Sequence, residues 1–257
     1  MTKLLPTGVP GLDELLNGGI PESRVVLVIG GPGSGKTTLA SQFLYKGISD
    51  YNENGIFVSI DETKDHYYSE MINFGWDFAQ AEKDKKFTFL DATKMPRAAM
   101  LRERMHLEQQ SLRGKQLQID KLVEKIETLI EEINAKRVVL DTLATLFQRF
   151  PDPTERRVAI VDLIESLSEL KITTLITTEL GHLSLDREVS VEEYQSHGVI
   201  MMQTLFSSGT TSRALQVVKM RGTKTNSNLV PYRIDDTGVE IFERYFWLYI
   251  RFIFNIF

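Results

Sequence analysis

The stretch "VVLVIGGPGSGKTT" limits what this chain can fold into more than any other. An apolar, β-rich run at 25–29 feeds into Gly30-Gly31-Pro32-Gly33-Ser34-Gly35-Lys36-Thr37, and "TLASQFLYKGI" continues at helical spacing. Strand, glycine loop and helix in that order are the Walker A pattern in its confirming context. The residue types follow from the ligand. Glycines let the backbone curl with its N–H groups inward, and the following helix adds its positive amino end. Lys36 supplies a compact charge for the β- and γ-phosphates. Thr37 offers a hydroxyl to a magnesium ion that keeps water and phosphate oxygens as its other ligands. The segment predicts a bound nucleoside triphosphate.

Apolar β-rich runs recur at 55–60, 87–90, 137–140, 172–177, 199–203 and 214–219, with helical stretches between them. Runs such as "VVLVI" and "RVVL" suit strands covered on both faces of a parallel sheet. Ile119, Leu122, Val123, Ile126, Leu129, Ile130 and Ile133 step by three or four residues, one apolar helix face. The alternation predicts an α/β fold with a doubly wound, mostly parallel central sheet flanked by helices. Residues 232–234 and 239–242, around "DDTG", predict a C-terminal β-hairpin at the sheet edge. The charged run 97–115 reads as a mobile helix or lid. With no linker and no internal repeat, residues 1–244 read as one domain.

Bulk properties narrow the function classes. Lys plus Arg number 30 and Asp plus Glu 35, a net charge of −5, so a generally basic surface holding nucleic acid by its phosphates is not expected. The absence of cysteine excludes disulfides, thiolate metal sites and thiol catalysis. His66, His106, His182 and His197 are scattered and form no metal constellation. The start of the chain lacks a signal-peptide core, and the protein reads as cytoplasmic. The tail 245–257, "YFWLYIRFIFNIF", does not fit the domain. It falls short of the about 20 apolar residues that span a bilayer. It reads as a segment that docks on a partner or dips into a membrane interface. Its Phe, Ile, Tyr and Asn, with A/T-rich codons, also suit translated DNA beyond an ancestral stop.

Three strand ends carry candidate chemistry. "RVVLDT" puts Asp141 just past an apolar strand, where a Walker B acid holds the magnesium's water shell. "GIFVSIDE" ends in Asp61-Glu62 at the carboxyl edge, where ligands of such sheets bind. One of these acids orients and deprotonates the attacking water; a structural reading, compatible with this because one acid can cap while the other works, is that Asp61 or Thr63 caps the helix of "TKDHYYSEMI". "LITTE" ends in Thr177, Thr178 and Glu179, candidate sensors of the γ-phosphate.

"TGVPGLDELLNGGIPESRVVLVIGGPGSGKTT", "FVSIDET", "FGWD", "RVVLDT", "LITTE" and "KMRGT" follow one another in this order. Together they resemble the RecA-type ATPases of the KaiC group, over about residues 4–243, and the first of the two KaiC domains more than the second. The resemblance implies a RecA-like P-loop fold, ATP and Mg2+ as ligands, and a homo-oligomeric, hexameric ring with ATP between neighbours. By position, Gly30 belongs to the loop, and Gly33, Ser34, Gly35, Lys36, Thr37 and Thr38 would hold phosphates and magnesium. Asn73 falls where the group contacts base or ribose. Lys219, Met220, Arg221, Thr223, Asp235 and Asp236 would reach the next subunit's nucleotide. Two departures stand out. The group's paired acids are typically Glu-Glu; Asp61 is one methylene shorter, which favours Glu62 as the base. Glu193 and Tyr194 occupy the positions of the second domain's phosphorylated Ser and Thr, so self-phosphorylation of that kind is not implied.

"VVKMRGTK" runs from a strand into cations in an otherwise acidic chain. Phosphoryl transfer needs positive charge on the side of the triphosphate that the P-loop leaves open. Lys219 and Arg221 alternate with Met220 and project from one face; in the KaiC resemblance that face meets the neighbour's γ-phosphate. The resulting reading is a magnesium-dependent ring enzyme that hydrolyses ATP slowly and drives a regulatory or remodelling step on a protein client. A RecA/RadA-type DNA-binding ATPase is the rival. Against it, "GHLSLDREVSVEEYQ" carries Asp186, Glu188, Glu192 and Glu193 against Arg187, which phosphates would repel. An ATP-switched scaffold, or a kinase, with little hydrolysis is the third class.

Overall fold

The computed structural model describes residues 3–93, 112–148, 150, 152–180, 189–207 and 210–242. The charged run at 97–111, His106, His182, Asp186, Arg187, Glu188 and the tail 245–257 lie outside the described residues.

A short ribbon pairs β1 (Leu4–Leu5) with β2 (Ile20–Pro21). The main sheet contains β3 (Val25–Gly30), β4 (Gly55–Ser59), β5 (Phe87–Asp91), β6 (Arg137–Asp141), β7 (Thr173–Glu179), β8 (Gly198–Ser207), β9 (Thr210–Met220), β10 (Val230–Asp235) and β11 (Gly238–Ile241). Its order is β11-β10-β9-β8-β3-β7-β6-β4-β5. From β8 to β5 every pairing is parallel, whereas β9, β10 and β11 are added antiparallel at one edge. The mostly parallel α/β sheet and its terminal hairpin follow the sequence expectation.

The apolar runs are continuous because helices cover both faces. Val26 and Val28 of β3 pack with Leu39, Phe43 and Leu44 of the helix Lys36–Tyr51 in one core. Val25, Leu27 and Ile29 pack into the other, with the helices Leu112–Ile133 and Pro153–Glu169. The periodic face of the first of these inserts Ile119, Leu122, Ile126 and Leu129.

Arg137, which opens β6, is fully buried. Its Nε and Nη2 donate to Glu53 Oε2 at 2.8 and 2.5 Å, Nη1 donates to the Phe43 carbonyl and Nη2 to that of Pro6. This ties the amino-terminal segment and the helix Lys36–Tyr51 to the sheet. One residue before Phe43 on that helix, the Gln42 amide accepts from Val239 N at 2.7 Å and donates to Val239 O at 3.1 Å. The edge hairpin is thereby fastened to the helix that begins at Lys36.

Candidate nucleotide site

β3 ends at Gly30 on the carboxyl edge of the parallel strands, and the glycine loop turns there into the helix Lys36–Tyr51. Gly35 has φ +91°, a backbone conformation that favours glycine, and a Cβ on it would lie 2.4 Å from the tip of the Ile234 side chain, which would have to move aside. Ser34 is buried and its Oγ has no hydrogen-bond partner among the described residues. Lys36 Nζ donates to the carbonyls of Gly30 and Gly31 at 3.0 and 3.1 Å. Burial pulls the Lys36 pKa down, and the carboxylates of Asp141 and Glu179 oppose that pull.

β6 delivers Asp141 beside this loop. Thr37 Oγ1 donates to Asp141 Oδ2 at 2.9 Å, and Thr177 Oγ1 donates to Asp141 Oδ1. Burial raises the Asp141 pKa, while the two hydroxyls lower it. A hydroxyl and a carboxylate meeting at the phosphate loop are hard oxygen donors, a set that fits Mg2+ with the remaining ligands from water and phosphate.

Asp61 and Glu62 follow β4 at the same edge, Asp61 exposed and Glu62 half-buried. The Ser59 hydroxyl accepts from Glu62 N at 2.9 Å and donates to Glu62 O at 2.7 Å, holding the turn. Thr63 is the N-cap of the helix Lys64–Met71 without a side-chain capping bond. Burial raises the Glu62 pKa, helped by the carboxylates of Glu70 and Asp141 and opposed by His66. Thr178 is buried at the end of β7, next to exposed Glu179.

The hairpin closes a second side of the loop. Tyr232 donates its hydroxyl to the Ser34 carbonyl at 2.6 Å. Asp235 ends β10, accepts from Thr237 N and Oγ1 at 2.9 and 2.6 Å, and pairs with Arg233. Asn73, in the 3-10 turn Ile72–Phe74, is exposed and donates to Ser69 O at 3.2 Å. Trp76, just beyond that turn, stacks on Phe74 and would meet a Cβ on Gly238 at 2.7 Å. The turn bearing Asn73 and the hairpin turn thus approach each other.

Lys219 and Arg221 stand at the opposite end of the strands. Lys219 pairs with Val199 and Val199 with Leu27, while Arg221 N bonds His197 O and His197 N bonds Val25 O. Gly30 lies five residues beyond Val25, about 17 Å along the strand. Lys219 Nζ and Arg221 Nη2 both donate to the Tyr194 carbonyl, at 3.2 and 3.1 Å.

The family model described as "ATPase: KaiC" matches residues 5–245. The chain belongs to the KaiC family of ATPases. It is 33% identical over 243 residues to the circadian clock oscillator protein KaiC of Acaryochloris marina, covering 94% of this chain and 44% of that one. The chain therefore spans less than half the length of that relative. A UPF0273 protein of Methanocaldococcus jannaschii is 34% identical over 241 residues, covering 93% and 96%. The crystal structure of a KaiC-like protein from Pyrococcus horikoshii aligns with TM-score 0.78 and 32% identity, covering 94% of this chain and all of that one.

In this KaiC-family chain, Gly30, Gly33, Ser34, Gly35, Lys36, Thr37, Asp141, Asp61 and Glu62 gather at one edge, with Thr38 in the first turn of the loop's helix. Three expectations need correction. Neither Asp61 nor Thr63 provides a side-chain cap, because Ser59 organises the turn instead. The Met220 side chain is buried and fills the space over Gly198, so it does not face outward with Lys219 and Arg221. Asp235 and Asp236 do not share a surface with Lys219, Arg221 and Thr223; their hairpin stands over the chain's own phosphate loop. Sequence reasoning also missed Tyr232, Gln42 and Ser59. Their only signal is position, one turn from a recognised motif.

Proposed function

We propose that this KaiC-family chain hydrolyses ATP in pockets completed by a neighbouring copy, within a homo-oligomeric, hexameric ring. The reading rests on the register that sets Lys219 about three residues' rise, roughly 10 Å, and Arg221 about five, roughly 17 Å, from their own phosphate loop. Cations so placed serve a triphosphate only on another molecule. In each pocket the glycine loop and Lys36 grip the phosphates. Thr37 and Asp141 would hold Mg2+, which when bound neutralises phosphate charge. Asn73, Asp235 and Asp236 line the base and ribose side of the same chain's pocket. Glu62, with Asp61 beside it, accepts a proton from the attacking water. That water's oxygen bonds the γ-phosphorus as the bond to the β-γ bridging oxygen breaks, leaving ADP and phosphate. The neighbour's Lys219 and Arg221, with the Met220 backbone and Thr223 alongside, stabilise the charge on the γ-phosphoryl oxygens.

Residues 1–244 constitute this ATPase domain, and the tail 245–257 is dispensable to it. Turnover drives a change presented to a protein client in the cytoplasm. The test is light scattering coupled to phosphate release, with and without ATP and Mg2+. Assembly with magnesium-dependent phosphate release supports the reading. Full turnover by a monomer overturns it, and ATP binding without phosphate release makes the chain a nucleotide-switched scaffold.

A further inference from the structure

We propose that the short helix Val191–Gln195 is the seat that aims Lys219 and Arg221 at the neighbouring pocket, with Glu193 as its positioning residue. The inference rests on the trans role of those cations given above.

Two cations on adjacent same-face positions repel each other, and Arg221 indeed helps pull the Lys219 pKa down, after burial. The Tyr194 carbonyl offsets this by accepting from both, at 3.2 and 3.1 Å. One acceptor therefore fixes both side chains at the same height. The guanidinium has five N–H donors, and this contact leaves others for phosphate oxygens.

The helix that carries this carbonyl is organised by the carboxylate of Glu193. Glu193 is only 4% exposed, unusual for a glutamate. Its Oε1 accepts from Ser190 N at 3.1 Å and from Ser190 Oγ at 3.2 Å, while Ser196 Oγ donates to the Glu193 carbonyl at 3.2 Å. These bonds lock both ends of a five-residue helix too short to be stable by itself. Glu193 also lies close enough to raise the Lys219 pKa against the pull of burial. The next residue after Ser196, His197, links the seat to the sheet: its Nδ1 accepts from Val25 N at 3.1 Å.

The same helix reaches toward the chain's own pocket. Ser190, Val191 and Glu192 line a cavity of about 830 Å3 together with Thr178 and Glu179 at the carboxyl edge. The element that aims the cations thus borders the strand end beside Asp141, so a displacement at a chain's own site has a direct route to the cations it lends.

Glu193→Ala and Ser190→Ala should loosen the seat, and Glu193→Gln, which keeps the acceptor oxygen, should restore it. In the nucleotide-free protein, hydrogen exchange at 194–197 and 219–222 should rise in the two alanine variants and stay at wild type in Glu193→Gln. In turnover, kcat should fall about tenfold to a hundredfold, as for a misplaced reacting group, with KM little changed. Mixing with Lys36→Ala protomers separates the role of the seat from trans donation itself. Recovery in Glu193→Ala plus Lys36→Ala mixtures supports the seat, since the Lys36→Ala copy lends an intact one. If Arg221→Ala plus Lys36→Ala mixtures recover but the Glu193→Ala mixtures do not, Glu193 acts within its own pocket and the seat is wrong while trans donation stands. If neither recovers, both fall. Unchanged exchange at 219–222 in both alanine variants also overturns the seat.

Discussion

The hydroxyl of Tyr232 donates to the carbonyl of Ser34 at 2.6 Å, tying the last hairpin of the sheet to the phosphate loop. Ile234 presses on Gly35 from the same strand. Tyr232→Phe leaves the Ser34 carbonyl without this donor in a buried place, a loss of about 1–3 kcal/mol. Urea denaturation should show that loss, and a fluorescent ATP analogue should bind several-fold more weakly because the loop is less firmly held. Wild-type values in both measurements would remove the hairpin from the site.

Arg221→Ala should keep ATP affinity within a few-fold yet lower turnover by about a thousandfold, the usual worth of an arginine given to a phosphoryl group. Titration calorimetry and phosphate release measure the two separately. Hydrolysis at the wild-type rate ends the trans assignment.

The Glu62 carboxyl is raised above the ordinary carboxylate range by burial, then by Glu70 and Asp141. A base works only when deprotonated, so turnover should climb as pH rises through this raised pKa and fall below it. The acid limb of kcat should stand at higher pH than for an unperturbed glutamate. Glu62→Gln should abolish turnover, and Glu70→Gln should move the limb to lower pH by removing a repelling charge. An acid limb that ignores Glu70→Gln argues against Glu62 as the base.

Arg137 is fully buried with Glu53 as its carboxylate partner. Glu53→Ala strands a buried guanidinium, and the expected loss is about 3 kcal/mol. The midpoint of urea unfolding should drop accordingly. An unchanged midpoint means the backbone carbonyls of Phe43 and Pro6 satisfy the cation by themselves.

Deleting 245–257 should leave assembly and phosphate release intact and improve solubility. The family match ends where this tail begins. A truncated protein that cannot assemble makes the tail a docking segment instead.

The loop of Gly30–Thr37, the strand ends at Asp141 and Asp61-Glu62 and the edge hairpin were legible from sequence because each is a local signal. A glycine loop ending in Lys-Thr between strand and helix is a phosphate-binding pattern, and an acid after an apolar run marks a strand's end. Tyr232 and Ser34 are 198 residues apart, and Arg137 and Glu53 are 84 apart. No local pattern announces such pairs, since they exist only once the sheet is ordered.

The amino-acid sequence by itself determined the parallel α/β core, the phosphate cradle and the presence of two cations at the end of β9. Where those cations point was decided by the tertiary structure. Leu215 and Val217 face one core, and strict alternation would send Lys219 there too. A register shift between Val199 and Ile200 makes Val218 the extra residue, so Ile200 faces Val217 and Val199 faces Lys219. The bulge turns Met220 into the core and Lys219 and Arg221 toward Tyr194, because an unpaired residue reverses every side chain beyond it. That reversal is a property of two strands in register and is absent from either strand alone.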